Sequence, residues 1–421
     1  MLFTASIAKT VPKNLVRDPI SQLVRENSKV QPLPVQQQGL SSSNLAHRLT
    51  PCLSMPSRRS QHLTQLHLAA RAEPQSDGKR GAAEAQQQEH SREEVRWILI
   101  VLQYFYIFLP VLTASPAGFA ADAKRLWPAD ANAPFAPQIW NWRGYPIRYV
   151  VQGSGSPLVL VHGFGASIGH WRHNIPVLAA AGYRVYALDL LGFGGSAKPA
   201  LPYSLDLWVE LLVDFWQQHI QQTTVFVGNS IGALLSLILA AQHPELTAGA
   251  ILLNCAGGLN HRSHELNPIF RFIMGTFTAL VASPITGPFL FDRVRQRQRI
   301  RETLKQVYRN PAAITDELVE ILYVPSCDVG AQQVFASILT APAGPTPEDL
   351  LPQVRCPLLV LWGEADPWTP IQRGRGFQNH VNGIDYQFLP IPDTGHCPHD
   401  ERPEVINPLI LDWLPKAFAD I

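Results

Sequence analysis

Cysteine is scarce and scattered: Cys52, Cys255, Cys327, Cys356 and Cys397 are the only five in 421 residues. None stands in a C-x-x-C spacing, so neither a zinc site nor a disulfide framework is indicated, and free thiols are expected. Charge is low as well, 16% of residues, with a net value of +1 at neutral pH. That balance implies no large basic patch and excludes nucleic acid as an expected partner. Acidic residues are nearly missing from the first part of the chain, where Asp18 and Glu26 are the only two before Glu73. Residues 1–96 are rich in Ser, Gln, Arg and Lys, and their apolar residues keep no sustained period. Such a segment cannot bury enough apolar surface to fold alone, and its composition resembles an organelle transit leader.

What is present begins with residues 97–121, which carry no charge at all. The strongly apolar part ends near Leu112, short of the ~20 residues a secure membrane-spanning helix needs. Pro110 interrupts its end. The small residues Gly118, Ala120 and Ala121 follow, as at a signal cleavage site. A cleaved second signal and a retained membrane anchor both fit, and either brings the chain to a membrane. Residues 122–137, rich in Pro and Ala, read as a linker.

With 46% hydrophobic residues the chain can build a sizeable core, and the folded domain is expected over 138–421. Strand-like runs and helical stretches alternate there: IRYVVQG, PLVLVHG, a helix over 171–181, YRVYALDL, a helix over 205–219, TTVFVGN, a helix ending near His243, and GAILLNCA. Short strands that are apolar on both faces need a sheet covered on both sides. Crossover helices between them imply a mostly parallel, doubly wound α/β sheet.

From about 257 to 343 that alternation stops. The stretch reads as several helices before CPLLVLWG and DYQFLPI resume the sheet. Helices inserted between two strands form a lid over the strand C-termini, where α/β folds bind ligands. Phe270, Ile273, Met274, Phe277 and Leu280 recur at helical spacing, with Phe289 and Leu290 beyond, as material for an apolar channel. Arg293, Arg295, Arg297, Arg299 and Arg301 fall at every second position, which on one helix would spread them around the axis as a solvated stretch.

The chemistry is organised around VGNSIGA. Gly228-Asn229-Ser230-Ile231-Gly232 is a G-x-S-x-G nucleophile elbow between a strand and a helix, with glycines where a Cβ would strike the turned backbone. His162-Gly163-Phe164-Gly165 follows the strand PLVLV. In that turn the Phe164 N–H can join the N–H of Ile231 as a pair of oxyanion donors, His162 shaping the turn. LLVLWGEAD delivers Asp366 just beyond a strand, and DYQFLPI leads to His396. Serine, acid and histidine thus follow in the order Ser230, Asp366, His396 expected on this fold. A serine hydroxyl needs an imidazole to take its proton and a carboxylate to orient that imidazole. Glu364 is a rival acid that comes sooner after its strand, and His399 a rival base at the start of the last helix. Cys397 has no elbow of its own, Asp189 reads as a turn carboxylate, and His170 with His173 lacks a third ligand for a metal. No metal or cofactor is expected.

HGFGASIGHWRHNIPVLAAAGYRVYALDLLGFGGSAKP, VGNSIGA, LWGEADPWTPI and GHCPHDERPEVINPLILDWL together resemble the α/β-hydrolases of chloroplasts and cyanobacteria that include pheophytinase and chlorophyll dephytylase. The likeness covers about 138–414 and is weakest in the helical insertion. It implies an α/β-hydrolase fold, a Ser230, Asp366 and His396 triad with Phe164 and Ile231 as oxyanion donors, and a small-molecule hydrophobic ester as substrate, the phytyl ester of a tetrapyrrole. A chloroplast location follows, at the thylakoid membrane, in the lumen or in the stroma. Ala233 departs from the second glycine usual after this elbow. A plastid lipase or acyl esterase uses the same machinery, as does a cofactorless carbon–carbon hydrolase, whereas an epoxide hydrolase or dehalogenase of this fold needs aspartate in place of Ser230.

Overall fold

The computed structural model describes residues 136–260, 262 and 268–419, with Ile269 and Phe270 in backbone only. The expected leader 1–96, the segment 97–121, nearly all of the linker 122–137 and the Phe270 side chain lie outside the described residues.

Eight strands form one sheet in the order β1-β2-β4-β3-β5-β6-β7-β8. They are β1 (Gln138–Trp142), β2 (Tyr145–Gln152), β3 (Pro157–Val161), β4 (Arg184–Leu188), β5 (Thr224–Asn229), β6 (Thr247–Leu253), β7 (Leu358–Gly363) and β8 (Tyr386–Ile391). β1 and β2 pair antiparallel, as do β2 and β4. Every later pair is parallel. The sheet is therefore the expected mostly parallel one, with β1 as an addition: QIWNW alternates, burying Trp140 and Trp142.

Period-two alternation assigns the two sides. Val159 and Val161 of β3 face one core with Phe226 of β5, while Leu158, Leu160, Val225 and Val227 face the other. The first core is closed by α2 (Leu205–His219) and α3 (Ile231–Gln242), the second by α1 (Ile175–Ala180) and the last helix, Pro403–Ala417. α2 begins where the Ser204 hydroxyl accepts the Leu207 N–H at 3.2 Å, and its stripe of Trp208, Leu212 and Phe215 is buried. Each such side chain contributes about 1.5–3 kcal/mol on burial. The helix expected over 171–181 is shorter, α1 alone, with Pro176 in its first turn, and a 3₁₀ turn at Ile168–Trp171 precedes it.

Between β6 and β7 the chain forms α4 (Pro268–Ala282), α5 (Thr286–Val294), α6 (Arg297–Val307), α7 (Asp316–Ser326) and α8 (Ala331–Leu339), followed by the short α9 (Pro347–Leu350). The alternating arginines do not lie on one helix. Arg293 belongs to α5, Arg297 to α6, and a break at Arg295 and Gln296 separates them. Nor are they simply solvated. Arg297 bonds Glu320 and Arg301 bonds Asp316, both on α7, and Arg295 pairs with Asp292 at 2.7 Å. Arg297 and Arg301, one turn apart on α6, fasten that helix to α7.

Candidate active site

The C-terminal ends of five parallel strands deliver the expected groups to one edge. β3 leads to His162–Gly165, β5 to Ser230, β6 to Asn254, β7 to Asp366 and β8 to His396. Register aligns them, since Val161 lies beside Gly228, Asn229 beside Leu253 and Gly363 beside Ile391.

Ser230 has φ 57° and ψ −118°, a conformation that costs about 1–3 kcal/mol for a residue with a side chain. The surroundings hold it there. Its N–H donates to Leu253 O at 3.0 Å, and its carbonyl accepts from Leu234 and Ala256 at 3.1 Å each. A Cβ on Gly228 would lie 2.1 Å from Gly232 O, and one on Gly232 would lie 2.1 Å from Val161 O. Both glycines are thus required by the close crossing of α3 over the strand ends. Ala233 fits without exposure. Among the described residues the Ser230 hydroxyl has no hydrogen-bond partner, and it borders a cavity together with His396. Such a bond commonly tightens only once substrate is bound.

His396 Nδ1 donates to Asp366 Oδ2 at 2.6 Å, leaving Nε2 for the cavity side. Asp366 is buried and also accepts from Asn254 Nδ2 at 2.7 Å, from the Trp368 N–H at 2.7 Å and from the Thr369 hydroxyl. Burial alone would push its carboxyl up. The charge and hydrogen bond of His396, with the Thr369 and Trp368 donors, hold it below the usual carboxylate value. Glu364, by contrast, is exposed and lies 3.7 Å from Arg375. His399 is buried with its ring centroid 4.1 Å from that of Trp171, away from any carboxylate partner.

The turn after β3 lies against the elbow. A Cβ on Gly163 would be 3.3 Å from Ser230 Cβ, and Gly165 has φ 69°. His162 is fixed by the Leu190 N–H, which donates to its Nε2 at 3.0 Å, and by its own Nδ1 donating to Gly163 O at 2.8 Å. Burial pushes this imidazole's pKa down, which suits a neutral structural ring. Among the described residues neither the Phe164 nor the Ile231 N–H has an acceptor, so both are available for a developing oxyanion. Asp189 is a turn residue, as expected: its carboxylate accepts from Ile168 and Gly195 N–H at 2.7 Å each.

The cavity measures about 440 Å³ and runs from Ser230 and Phe164 beneath the cap helices. Met274, Phe277, Val294, Leu304, Leu322 and Phe335 give it apolar walls. Of the channel candidates, Met274 and Phe277 line it, whereas Leu280 and Phe289 are exposed and point elsewhere. Among the described residues two cations, Lys198 and Arg295, line the wall, and both are engaged: Lys198 with Asp328 at 2.7 Å and Arg295 with Asp292.

Residues not singled out by the sequence complete the site. Asn254 joins Asp366 to β7 by accepting the Gly363 N–H at 2.9 Å. Glu401 accepts the N–H groups of Arg309 and Asn310 from the cap and of Gly395 beside His396, at 2.7–2.8 Å. His396 N–H in turn donates to Val307 O at 2.8 Å. The end of α6 is thereby clipped to the histidine loop. A polar residue directly after a wholly apolar strand is the available signal for Asn254; none exists for Glu401.

Comparison with known proteins gives a consistent superfamily. The model of the alpha/beta hydrolase family matches residues 158–409. The chain is 29% identical to a 2-hydroxy-6-oxo-6-(2'-aminophenyl)hexa-2,4-dienoic acid hydrolase of Metapseudomonas resinovorans over 69% of this chain and 94% of that protein. It is 28% identical to the chloroplastic pheophytinase of Arabidopsis thaliana over 62% of this chain and 61% of that protein. The crystal structure of a serine hydrolase involved in carbazole degradation superposes with a TM-score of 0.54 at 26% identity, covering 66% of this chain and 98% of the other.

Proposed function

The chain belongs to the alpha/beta hydrolase family, and from that premise we propose that it is a serine carboxylic-ester hydrolase that removes phytol from chlorophyll or pheophytin. The observation that carries this reading is the 2.6 Å pair of His396 and Asp366 opening, with Ser230, onto an apolar cavity.

In the proposed reaction Ser230 Oγ attacks the ester carbonyl while His396 Nε2 takes its proton, and Asp366 keeps the imidazole in the Nδ1–H tautomer and stabilises the cation that forms. The Phe164 and Ile231 N–H groups receive the oxyanion; each such donor is worth about 3–4 kcal/mol of transition-state stabilisation where measured. His396 then protonates the departing phytol oxygen. Water, activated by the same imidazole, releases the propionic acid from Ser230 and restores the hydroxyl.

A carbon–carbon hydrolase acting on a dienoic acid could use the same three residues, and a relative with that name matches over nearly its whole length. The cavity favours the neutral ester. A carboxylate substrate calls for a free cation, and the two that line the cavity among the described residues, Lys198 and Arg295, are already held by Asp328 and Asp292. The acid-poor leader 1–96 and the charge-free 97–121 support a thylakoid address, where phytyl esters reside.

The test is incubation of the purified protein with pheophytin, chlorophyll, a galactolipid and a dienoic acid, followed by mass spectrometry of the products. Phytol and the free tetrapyrrole acid are expected. Preferential cleavage of galactolipid would assign a lipase, and cleavage of the dienoic acid alone a carbon–carbon hydrolase.

A further inference from the structure

Helix α4 is apolar on two faces. Met274 and Phe277 border the cavity and Val281 is buried, yet Phe272 is 76% exposed. With Gly275, Thr276, Ala279 and Leu280 it makes an outer face whose one charged residue is Arg271, at the start of the helix, since residues four and eight apart share one side of a helix. The chain then bends by 101° into α5, where Ile285, at its start, is 85% exposed and Phe289 also faces outward. Single exposed apolar residues such as Ile139 or Val177 are ordinary on a protein surface. A run of them on two consecutive helices marks an interaction surface.

Charge identifies the partner. Over 268–294 the only charged residues are Arg271, Asp292 and Arg293, and Arg295 already engages Asp292 at 2.8 Å. The Arg293 guanidinium lies 5.2 Å from the centre of the Phe289 ring, a cation at the rim of the apolar face. An apolar face with a basic rim suits a helix lying in the interface of an anionic bilayer. No single described helix is long and apolar enough to cross a membrane; α4 and α5 reach that apolar length only as a pair, and the 101° bend between them suits the pair to lie along a surface. The charge-free segment 97–121 lies 16 residues before the domain. Fully extended, that linker reaches about 55 Å, against a domain diameter of roughly 50 Å. A segment held at the membrane would thus let any face of the domain turn toward it, and the apolar edge decides which.

We propose that the α4–α5 edge of the cap docks on an anionic lipid surface. Phe272, Leu280, Ile285 and Phe289 enter the acyl layer, and Arg293 meets the headgroups. One helix then borders both bilayer and cavity, so a long-chain ester passes between them without crossing water. This contact does not depend on which ester the site cleaves.

The test uses the full chain bound to phosphatidylglycerol-containing vesicles that carry a photoactivatable acyl chain, with labelled peptides mapped by mass spectrometry. Labelling within 268–291 is expected, scored separately from any within 97–121. Phe272→Glu with Ile285→Glu should abolish it and slow hydrolysis of a vesicle-embedded long-chain ester about tenfold or more. A short soluble ester should be cleaved at the unchanged rate, and Ile285→Glu alone, at an exposed position between helices, should weaken labelling with the fold intact. No labelling of 268–291, or labelling indifferent to these changes, would overturn the proposal. So would a dimer in light scattering that the substitutions split, which would give the face to a second copy.

Discussion

Asn229 donates its side-chain amide to the carbonyl oxygen of His396 at 2.9 Å, across 167 positions of chain. The same amide reaches Leu253 O at 3.2 Å. One residue at the end of β5 therefore fixes the loop after β8 against β6, so the turn bearing Ser230 and the loop bearing His396 cannot move independently. The distance between hydroxyl and imidazole is set by backbone contacts on either side of each, not by a contact between them.

Because the Ser230 hydroxyl bonds nothing in the described fold, Ser230→Ala should remove activity and leave stability alone. A loss of several orders of magnitude in kcat is expected, with the thermal midpoint unchanged. Asp366→Asn should cost about 10⁴-fold by upsetting the imidazole tautomer, while Glu364→Ala, at an exposed site, should cost little. Hydrolysis assays with paired melting curves check all three. Residual turnover within about tenfold of the parent would remove Ser230 as nucleophile, and a reversed order of Asp366 and Glu364 would reassign the acid.

Local chemistry explains what the sequence makes legible. The elbow needs only a strand, two glycines and a helix, all within VGNSIGA, and Asp366 and His396 each follow an apolar strand directly. Asn254 and Glu401 escape because their partners come from distant segments, and nothing in Asn or Glu announces a buried N–H about 100 residues away. The inward side of α4 is illegible for a different reason. A helix with large apolar residues on more than one side carries no continuous polar stripe to say which face is out, so helical spacing sends Leu280 and Phe289 into a channel that Met274 and Phe277 enter without them. The arginines mislead because a spacing of two implies one continuous helix, whereas the chain breaks at Arg295.

Glu401→Gln should loosen the cap from the histidine loop. The carboxylate accepts three backbone N–H groups, from Arg309, Asn310 and Gly395, and an amide turns a donor toward one side of that cluster. Charged-acceptor bonds contribute about 1.5–3 kcal/mol each. One lost bond should lower the thermal midpoint by roughly 5 °C, and kcat should fall while affinity for a short soluble ester holds. An unchanged midpoint would mean that the clip carries no stability.

Acid should destabilise the fold through His170. Both its ring nitrogens are buried without a hydrogen-bond partner, and burial pushes its pKa down to about 4, Asp400 opposing and Arg172 adding to the shift. His399 beside it is lowered in the same direction, again mainly by burial. An unfolded histidine titrates near 6.5, so between about pH 6.5 and 4 the unfolded chain binds more protons and stability rises with pH. For His170 that amounts to about 3 kcal/mol, present above 6.5 and lost as pH falls to 4. Asp366 acts lower still: its depressed pKa gives stability above the ordinary carboxylate value that is lost only as pH falls through the folded one. His170→Phe removes no hydrogen bond and should flatten the dependence of the urea midpoint on pH between about 6.5 and 4. An unaltered slope would exclude His170 as the titrating group.

The cavity makes its own prediction about chain length. Its walls beneath the cap are apolar, and the cations that reach them are already paired, so what they recognise in a phytyl ester is methylene and methyl surface, worth ~0.8 kcal/mol per CH2 buried. Met274 is the wall residue best suited to test this, since an unbranched thioether adapts its shape and lies on α4, away from every strand end that delivers Ser230, Asp366 or His396. Met274→Trp fills part of the space. Displacing two or three methylenes would cost about 2 kcal/mol, roughly a thirtyfold fall in kcat/KM for the phytyl ester. The methyl ester of the same ring leaves that part of the cavity empty and should be cleaved at nearly its former, slow rate. Parallel assays of both esters on parent and variant decide the matter. An equal loss on the two would show that the introduced indole disturbs the reacting groups, and equal parent rates on the two would show that the cavity does not hold the chain.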